Sequence, residues 1–234
     1  MKYTQYIIEL ANGFKISETV VTSWIIMIAL IIASLLLTRN LKIVPTSKVQ
    51  IMLEYVVITF RNLVRSNMGD DVEKRMPNML PYIGSLFLFF VCSNLIGLLG
   101  FKSPTTDVDT TLAWALITCF LIYYQGMKAK GPSYWKGLLE PVPLLLPLNI
   151  VSEFARPISL TFRPFGNILG GTVIMGLLYQ LLAFISSLIP NVSIPFLQLI
   201  IPVPLHFYFD LFAGFLQAFI FIMLTMVFVS NATE

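Results

Sequence analysis

The chain has 234 residues, 57% hydrophobic and only 12% charged, with a formal net charge of +3 and a mean hydropathy of +0.83. A soluble domain carries about twice that charge density, so there is too little charge to coat a water-facing surface, and lipid is the solvent for most of the chain. The same figures exclude a disordered chain, a coiled coil, a secreted disulfide scaffold and a nucleic-acid binder. One histidine, His206, and two cysteines, Cys92 and Cys119, leave no ligand set for a His/Cys metal cluster. No metal and no cofactor are expected, and both cysteines read as free, buried small hydrophobes.

A membrane helix needs about 20 mostly apolar residues. Charge-free runs lie between Glu18 and Arg39, Arg75 and Lys102, Asp109 and Lys128, Arg163 and Asp210, and Asp210 and Glu234. Pro190 and Pro195, around Asn191, break the fourth of these. The expected spans in chain order are about 19–38, 78–100, 110–128, 143–187 and 195–230. The last two exceed what a bilayer needs and must tilt, bend or run partly along it. The N-terminus lacks a basic region directly before an apolar core and an A-x-A site, so the first span is expected to be retained. Between the first two spans, Gln50, Glu54, Arg61 and Arg65 form one polar stripe on a helix over about 46–67. Val49, Met52, Val56 and Leu63 help cover the rest, which predicts an amphipathic helix on the cytoplasmic membrane surface or at a subunit joint. Pro104 marks a loop, and Gly131-Pro132 marks a turn.

Together these elements predict an all-α integral membrane protein, with residues 1–234 as a single membrane domain. Five spans put the chain ends on opposite sides. Arg39, Lys42, Lys48, Arg61, Arg65, Lys74, Arg75, Lys128, Lys130 and Lys136 fall on one side, against Lys2, Lys15 and Lys102 on the other. By the excess of Lys and Arg in cytoplasmic segments, the N-terminus is outside and the C-terminus cytoplasmic.

Ionisable groups inside a span are expensive and mark function by default. Asn149, Glu153, Arg156, Arg163 and Asn167 of the fourth span fall within about 80° of one another around a helix. Glu153 and Arg156 are spaced to pair. Arg163 has no carboxylate at i±3 or i±4, and its guanidinium cannot escape burial by losing a proton, so it needs a partner from elsewhere in an assembly. His206, Asp210 and Gln217 of the fifth span share one face at i, i+4 and i+11. Asp210 is a buried protonated acid or lines a water path, and His206 is a hydrogen-bonding or proton-carrying residue nearer the outer end. Pro157 and Pro164 interrupt the fourth helix, and Gly166, Gly170 and Gly171 offer a flat face to a sliding partner.

The run Arg156-Pro157-Ile158-Ser159-Leu160-Thr161-Phe162-Arg163-Pro164-Phe165-Gly166-Asn167 resembles the core motif of subunit a of the rotary (F-type) ATP synthases, in a bacterial pattern. Leu216-Gln217-Ala218-Phe219-Ile220-Phe221 resembles that family's last-helix motif. Ser93-Asn94-Leu95-Ile96-Gly97-Leu98, then Pro104-Thr105, resembles the end of its second crossing and its outer loop. The resemblance implies that Arg163 is the essential stator arginine facing a carboxylate on the rotor ring, with Asn167 and Gln217 as polar positions beside it. It implies an outer half-channel past Asp210, with or without His206, and an offset cytoplasmic half-channel near Asn149, Ser152 and Glu153. It further implies the last two helices lying long and tilted against a ring of small hairpin subunits, a peripheral stalk subunit and the rest of the synthase as partners, and the bacterial plasma (inner) membrane as location. Thr172 stands where the family often has glutamate, and Pro164 where it usually has leucine. Protons are favoured over sodium as the coupling ion. Two other classes compete. A self-contained secondary transporter or channel would need repeats and a closed mid-membrane site, and a membrane enzyme would need a nucleophile–base pair or metal ligands.

Overall fold

A computed structural model describes residues 6–9, 15–45, 47–139, 142–188 and 197–233. The predicted break at Pro190, Asn191 and Pro195 lies outside the described residues, as does Lys2.

The architecture is all-helical apart from a short hairpin that the sequence pattern did not announce. Strands β1 (Tyr6–Glu9) and β2 (Lys15–Ser17) pair antiparallel, with Glu9 opposite Lys15. Ser17 then starts α1 (Glu18–Thr38). The helices α2 (Lys48–Met68), α3 (Val72–Arg75), α4 (Met79–Leu95), α5 (Val108–Lys130) and α6 (Leu146–Ser187) follow. The short helices α7 (Leu197–Ile200) and α8 (Pro202–His206) lead into a π-helical segment, Phe207–Phe212, and α9 (Ala213–Thr233). Among the described residues, five helical stretches are long and apolar enough to cross a membrane: Glu18–Thr38, Met79–Leu99, Val108–Leu139, Pro143–Ser187 and Leu197–Thr233. The chain is therefore a multi-pass membrane protein. At 1.5 Å per residue, α6 is about 63 Å long, roughly twice the hydrocarbon thickness. Its axis must lie far from the membrane normal, or it must bend.

Helices α4, α5, α6 and α9 pack together, and α9 is the pillar of both cores. Ile222, Met226, Val229 and Ala232 of α9 meet Val64 and Met68 of α2, Ile83 of α4 and Ile122 of α5. Ala218 and Phe221 pack with Phe90 of α4, Ala115 and Cys119 of α5, and Leu160 of α6. Phe90 and Phe221 stack at 4.4 Å. Cys92 and Cys119 are free thiols, but only Cys119 is fully buried, because Cys92 is half-exposed near the end of α4. Helix α1 touches this body only near its first turns, through Thr19, Thr22, Ser23 and Ile26. There the Thr19 hydroxyl donates to Asp107 Oδ2 at 2.9 Å.

Helix α2 is amphipathic in the sense opposite to a soluble helix. Its polar stripe turns toward the protein: Gln50 Nε2 donates to the Lys42 carbonyl at 2.6 Å and to Glu54 Oε1 at 2.8 Å. Arg61 and Arg65 both grip Glu73, at 3.1 and 2.9 Å. Val49, Ile51, Met52, Val57 and Ile58 are exposed, as expected where the surrounding medium is apolar. Only the C-terminal third of α2, through Val64 and Met68, joins the core. The paired arginines hold the Glu73 carboxyl below its ordinary pKa, chiefly through the hydrogen bond from Arg65.

Candidate functional site

Proline shapes the long helix. Pro157 and Pro164 lack backbone N–H groups, so the carbonyls of Glu153 and Leu160 lose their helical donors. The predicted polar stripe of α6 lies along this weakened stretch, but it is divided rather than continuous. Asn149, Ser152, Glu153 and Arg156 line one cavity of about 530 Å³, closed by Tyr134, Trp135 and Leu138 before α6 and by Phe228 and Asn231 of α9. Gly131, with φ +60°, ends α5 and turns the chain into the Gly131–Leu139 segment that forms this wall. The expected ion pair is present, with Arg156 Nη1 2.9 Å from Glu153 Oε2 and the two side chains only 31% and 19% exposed. Arg156 also lies 5.5 Å from the centre of the Phe228 ring. Asn149 Nδ2 donates to the Leu138 carbonyl at 2.7 Å, tying the wall to the helix. Ser152 donates to Leu148 O at 3.0 Å.

A second cavity, of about 440 Å³, opens along the other half of α6. It is bounded by Asn167, Gly171, Thr172 and Tyr179 of α6, by Asn94 at the end of α4, by Lys102 and Ser103 of the following loop, and by His206, Asp210 and Gly214. Its polar wall is a linked set. His206 Nδ1 lies 2.6 Å from Asp210 Oδ2, and His206 Nε2 lies 3.0 Å from the Tyr179 hydroxyl. The His206 and Asp210 side chains are 42% and 39% exposed, so both meet the cavity. Asn167 Nδ2 reaches the Ala213 carbonyl at 3.4 Å. Thr172 Oγ1 donates within its own helix, to Ile168 O at 2.8 Å.

Gln217 does not join His206 and Asp210 on the cavity wall. It is buried, and its Nε2 has no hydrogen-bond partner among the described residues. The face expected at i, i+4 and i+11 assumed an uninterrupted α-helix. The π segment Phe207–Phe212 begins just after His206, contains Asp210 and ends before Gln217, and it changes the angle per residue there.

Arg163 lines neither cavity. It is exposed on α6, and its closest polar contact is Ser159 Oγ at 3.5 Å. No carboxylate among the described residues lies within ion-pair distance of it. Around it α6 presents Phe154, Ile158, Phe162, Leu169, Val173 and Leu177 outward as a long apolar ribbon. Added Cβ atoms at Gly166 and Gly170 would meet nothing within 4 Å, whereas Gly171 is covered by Phe209 at 3.4 Å. The flat face therefore comprises Gly166 and Gly170, and Gly171 is internal packing.

Sequence reasoning missed Tyr179, Lys102 and Asn94. Tyr179 is a lone hydroxyl in an apolar run, and only folding brings it to His206, 27 residues later. Asn94 and the adjacent loop carried a signal only as part of a resembling motif.

The ATP synthase A chain family model matches residues 20–230. The ATP synthase subunit a, sodium ion specific, of Propionigenium modestum is 36% identical over 237 residues, which span 94% of this chain and 75% of that protein. ATP synthase subunit a 1 of Hahella chejuensis is also 36% identical, over 94% of this chain and 86% of its own length. With the family model covering nearly all of the chain and two relatives agreeing with it, this multi-helix membrane protein belongs to the family of ATP synthase subunit a.

Proposed function

We propose that the chain is the stator half of a rotary ion motor and holds two half-channels that do not meet within it. The observation that carries this reading is the separation of two polar cavities along α6, with the exposed, carboxylate-free Arg163 in neither. A permanent cation at an apolar, lipid-facing surface is expensive. A carboxylate on a partner, here a rotor ring of small hairpin subunits, would relieve that expense. The ribbon flanking Arg163 and the open Cβ positions at Gly166 and Gly170 suit a helix sliding past at close range.

In this reading the Lys/Arg distribution makes the Glu153 cavity cytoplasmic and the Asp210 cavity external, with the N-terminus outside, in a bacterial plasma membrane. Ions enter by Asp210 and His206, load a ring carboxylate beyond Asn167, and leave past Asn149, Ser152 and Glu153. Arg163 favours the ionised ring carboxylate and repels a cation passing directly between the paths. Each charge moved across gains about 2.3 kcal/mol per 100 mV, which turns the ring and drives ATP formation in the rest of the synthase. The peripheral stalk subunit holds this chain against that torque. Protons are the ion, because His206, Asp210 and Tyr179 form a connected set of groups able to pass them.

The test uses the purified synthase in liposomes, measuring ATP-driven lumen acidification with and without sodium and an uncoupler. Sodium-independent, uncoupler-sensitive acidification that is lost in Arg163→Gln and Asp210→Asn supports the reading. Sodium uptake stimulated by the uncoupler refutes the proton assignment, and normal pumping by Arg163→Gln refutes the half-channel scheme.

A further inference from the structure

One buried polar chain at the floor of the Asp210 cavity has no part in that scheme. After α4 the backbone turns through Ile96–Leu99 and Gly100, and it returns at Pro104–Thr106. There Ser103 Oγ donates to the Ser93 carbonyl and lies 2.7 Å from Thr105 Oγ1. Thr105 Oγ1 donates to Asn94 Oδ1 at 2.9 Å. Asn94 Nδ2 donates to the Gly214 carbonyl at 2.7 Å, across 120 residues of sequence. Ser93, Asn94, Ser103 and Thr105 are all buried. The last contact is tight enough to specify the residue type opposite, because a Cβ at Gly214 would lie 3.1 Å from Asn94 Cβ. The neighbouring carbonyl, Ala213 O, receives Asn167 Nδ2 from α6. Two amides from two different helices therefore grip consecutive carbonyls just past the π segment that carries Asp210.

A π turn is rare and occurs mostly as a bulge within an α-helix, and passing that bulge along the helix shifts the local register. Such a shift would rotate Asp210 relative to the helix below it. We infer that Asn94, oriented by Thr105, is a positioning residue. It fixes the register of the last helix at Gly214, and so holds Asp210 in its cavity while Gln217 stays buried beneath. The inference rests on the reading of the Asp210 cavity as an ion path. The amide is required for a chemical reason: one end must donate to a carbonyl while the other accepts from a hydroxyl. Leucine supplies neither function. An ionised aspartate supplies only acceptors and faces the Gly214 carbonyl unfavourably, but a protonated aspartate regains a donor. Lys102 from the outer loop, Tyr179 from α6, and His206 and Asp210 from the last helix face the same cavity, and Asp107 lies beyond the loop on Thr19. All are common to both variants, so the difference between the variants isolates position 94.

The experiment compares Asn94→Leu, Asn94→Asp and Thr105→Val in the assembled synthase, each checked for retained subunit stoichiometry and ATP hydrolysis. Hydrogen exchange of the 207–217 backbone is measured together with ATP-driven pumping across a range of pH. Losing one buried hydrogen bond changes a coupled equilibrium by about tenfold. Asn94→Leu should therefore exchange that segment faster and pump more slowly by about that factor. Asn94→Asp should match it at neutral pH and recover on acidification, which Asn94→Leu should not. Thr105→Val should act in the same direction, and its effect should vanish in the Asn94→Leu background. Parental exchange in Asn94→Leu overturns the inference. So does faster exchange with parental pumping, or an Asn94→Asp profile parallel to that of Asn94→Leu. An Asp210→Asn control that pumps normally faults the ion-path reading instead, leaving the exchange result to judge the clamp.

Discussion

Two glycines on neighbouring helices should respond to the same substitution with opposite signs. Alanine in a helix interior is favoured over glycine by about 1 kcal/mol. At Gly166 a Cβ would meet nothing within 4 Å, so Gly166→Ala should keep that gain and stabilise the folded chain. At Gly214 the Cβ would sit 3.1 Å from Asn94 Cβ, 0.3 Å inside the 3.4 Å at which ordinary contacts begin. Overpacking of this kind costs about 1–3 kcal/mol. Pushing Asn94 away also stretches its 2.7 Å bond to the Gly214 carbonyl, worth about 1 kcal/mol. Set against the propensity gain, Gly214→Ala should lose about 1–3 kcal/mol net. The assay is the temperature at which subunit a is released from the detergent-solubilised synthase. About 2–4 °C per kcal/mol is expected for a chain of this size, so Gly214→Ala should fall by several degrees while Gly166→Ala holds or rises. Pumping should follow a different order, because Gly166→Ala narrows the face offered to the ring and slows coupling despite its stability. A Gly214→Ala variant as stable as Gly166→Ala would refute the packing argument.

Arg163→Lys keeps a charge but loses the planar, multi-donor head, so ATP-driven pumping should fall sharply with complex assembly unchanged in stalk and ring pull-downs. Glu153→Gln leaves Arg156 enclosed without its carboxylate. For a pair partly open to the cavity this should cost about 1–3 kcal/mol, and Arg156→Met in the same chain should recover much of the lost release temperature. The Glu73 carboxyl titrates below its usual 4.5 when folded, so its contribution is complete above about pH 5 and is lost as pH falls through the depressed value. Acid-induced release should therefore be shallower in Glu73→Gln. Gly126→Ala would place a Cβ 2.5 Å from the Tyr134 ring, and should show altered Tyr134 packing by increased labelling of an Asn149→Cys probe.

The crossings were legible because lipid demands long uncharged runs, and such runs are visible without any contact information. The ion pair of Glu153 and Arg156 was legible because it is local, three residues apart on one helix. Arg163 stood out for lacking any local partner, and the fold leaves it exposed. What could not be read was what depends on distant segments meeting. The hydroxyl of Tyr179 gains meaning only beside His206, and Asn94 only beside Gly214. The division of the α6 stripe into two cavities depends on which walls the loops supply, Trp135 for one and Lys102 for the other. The misplacement of Gln217 has a different cause. Periodicity assumes a constant twist, and the π segment violates it without any Pro or Gly to signal the change.

That π segment is a one-residue reserve of length in the last membrane crossing. A π turn is an α-helix carrying one residue more than the ladder needs. Deleting Leu211, an exposed residue within it, would return the ladder to α, with the turns on either side close to their present faces. Deleting an exposed residue from the regular turns of α9, such as Phe215, would instead turn everything before it by about 100° about the axis. His206 and Asp210 would then swing off the cavity wall as a unit. Two single deletions four residues apart, both leaving an apolar helix able to span the bilayer, would thus have opposite consequences for the ion path.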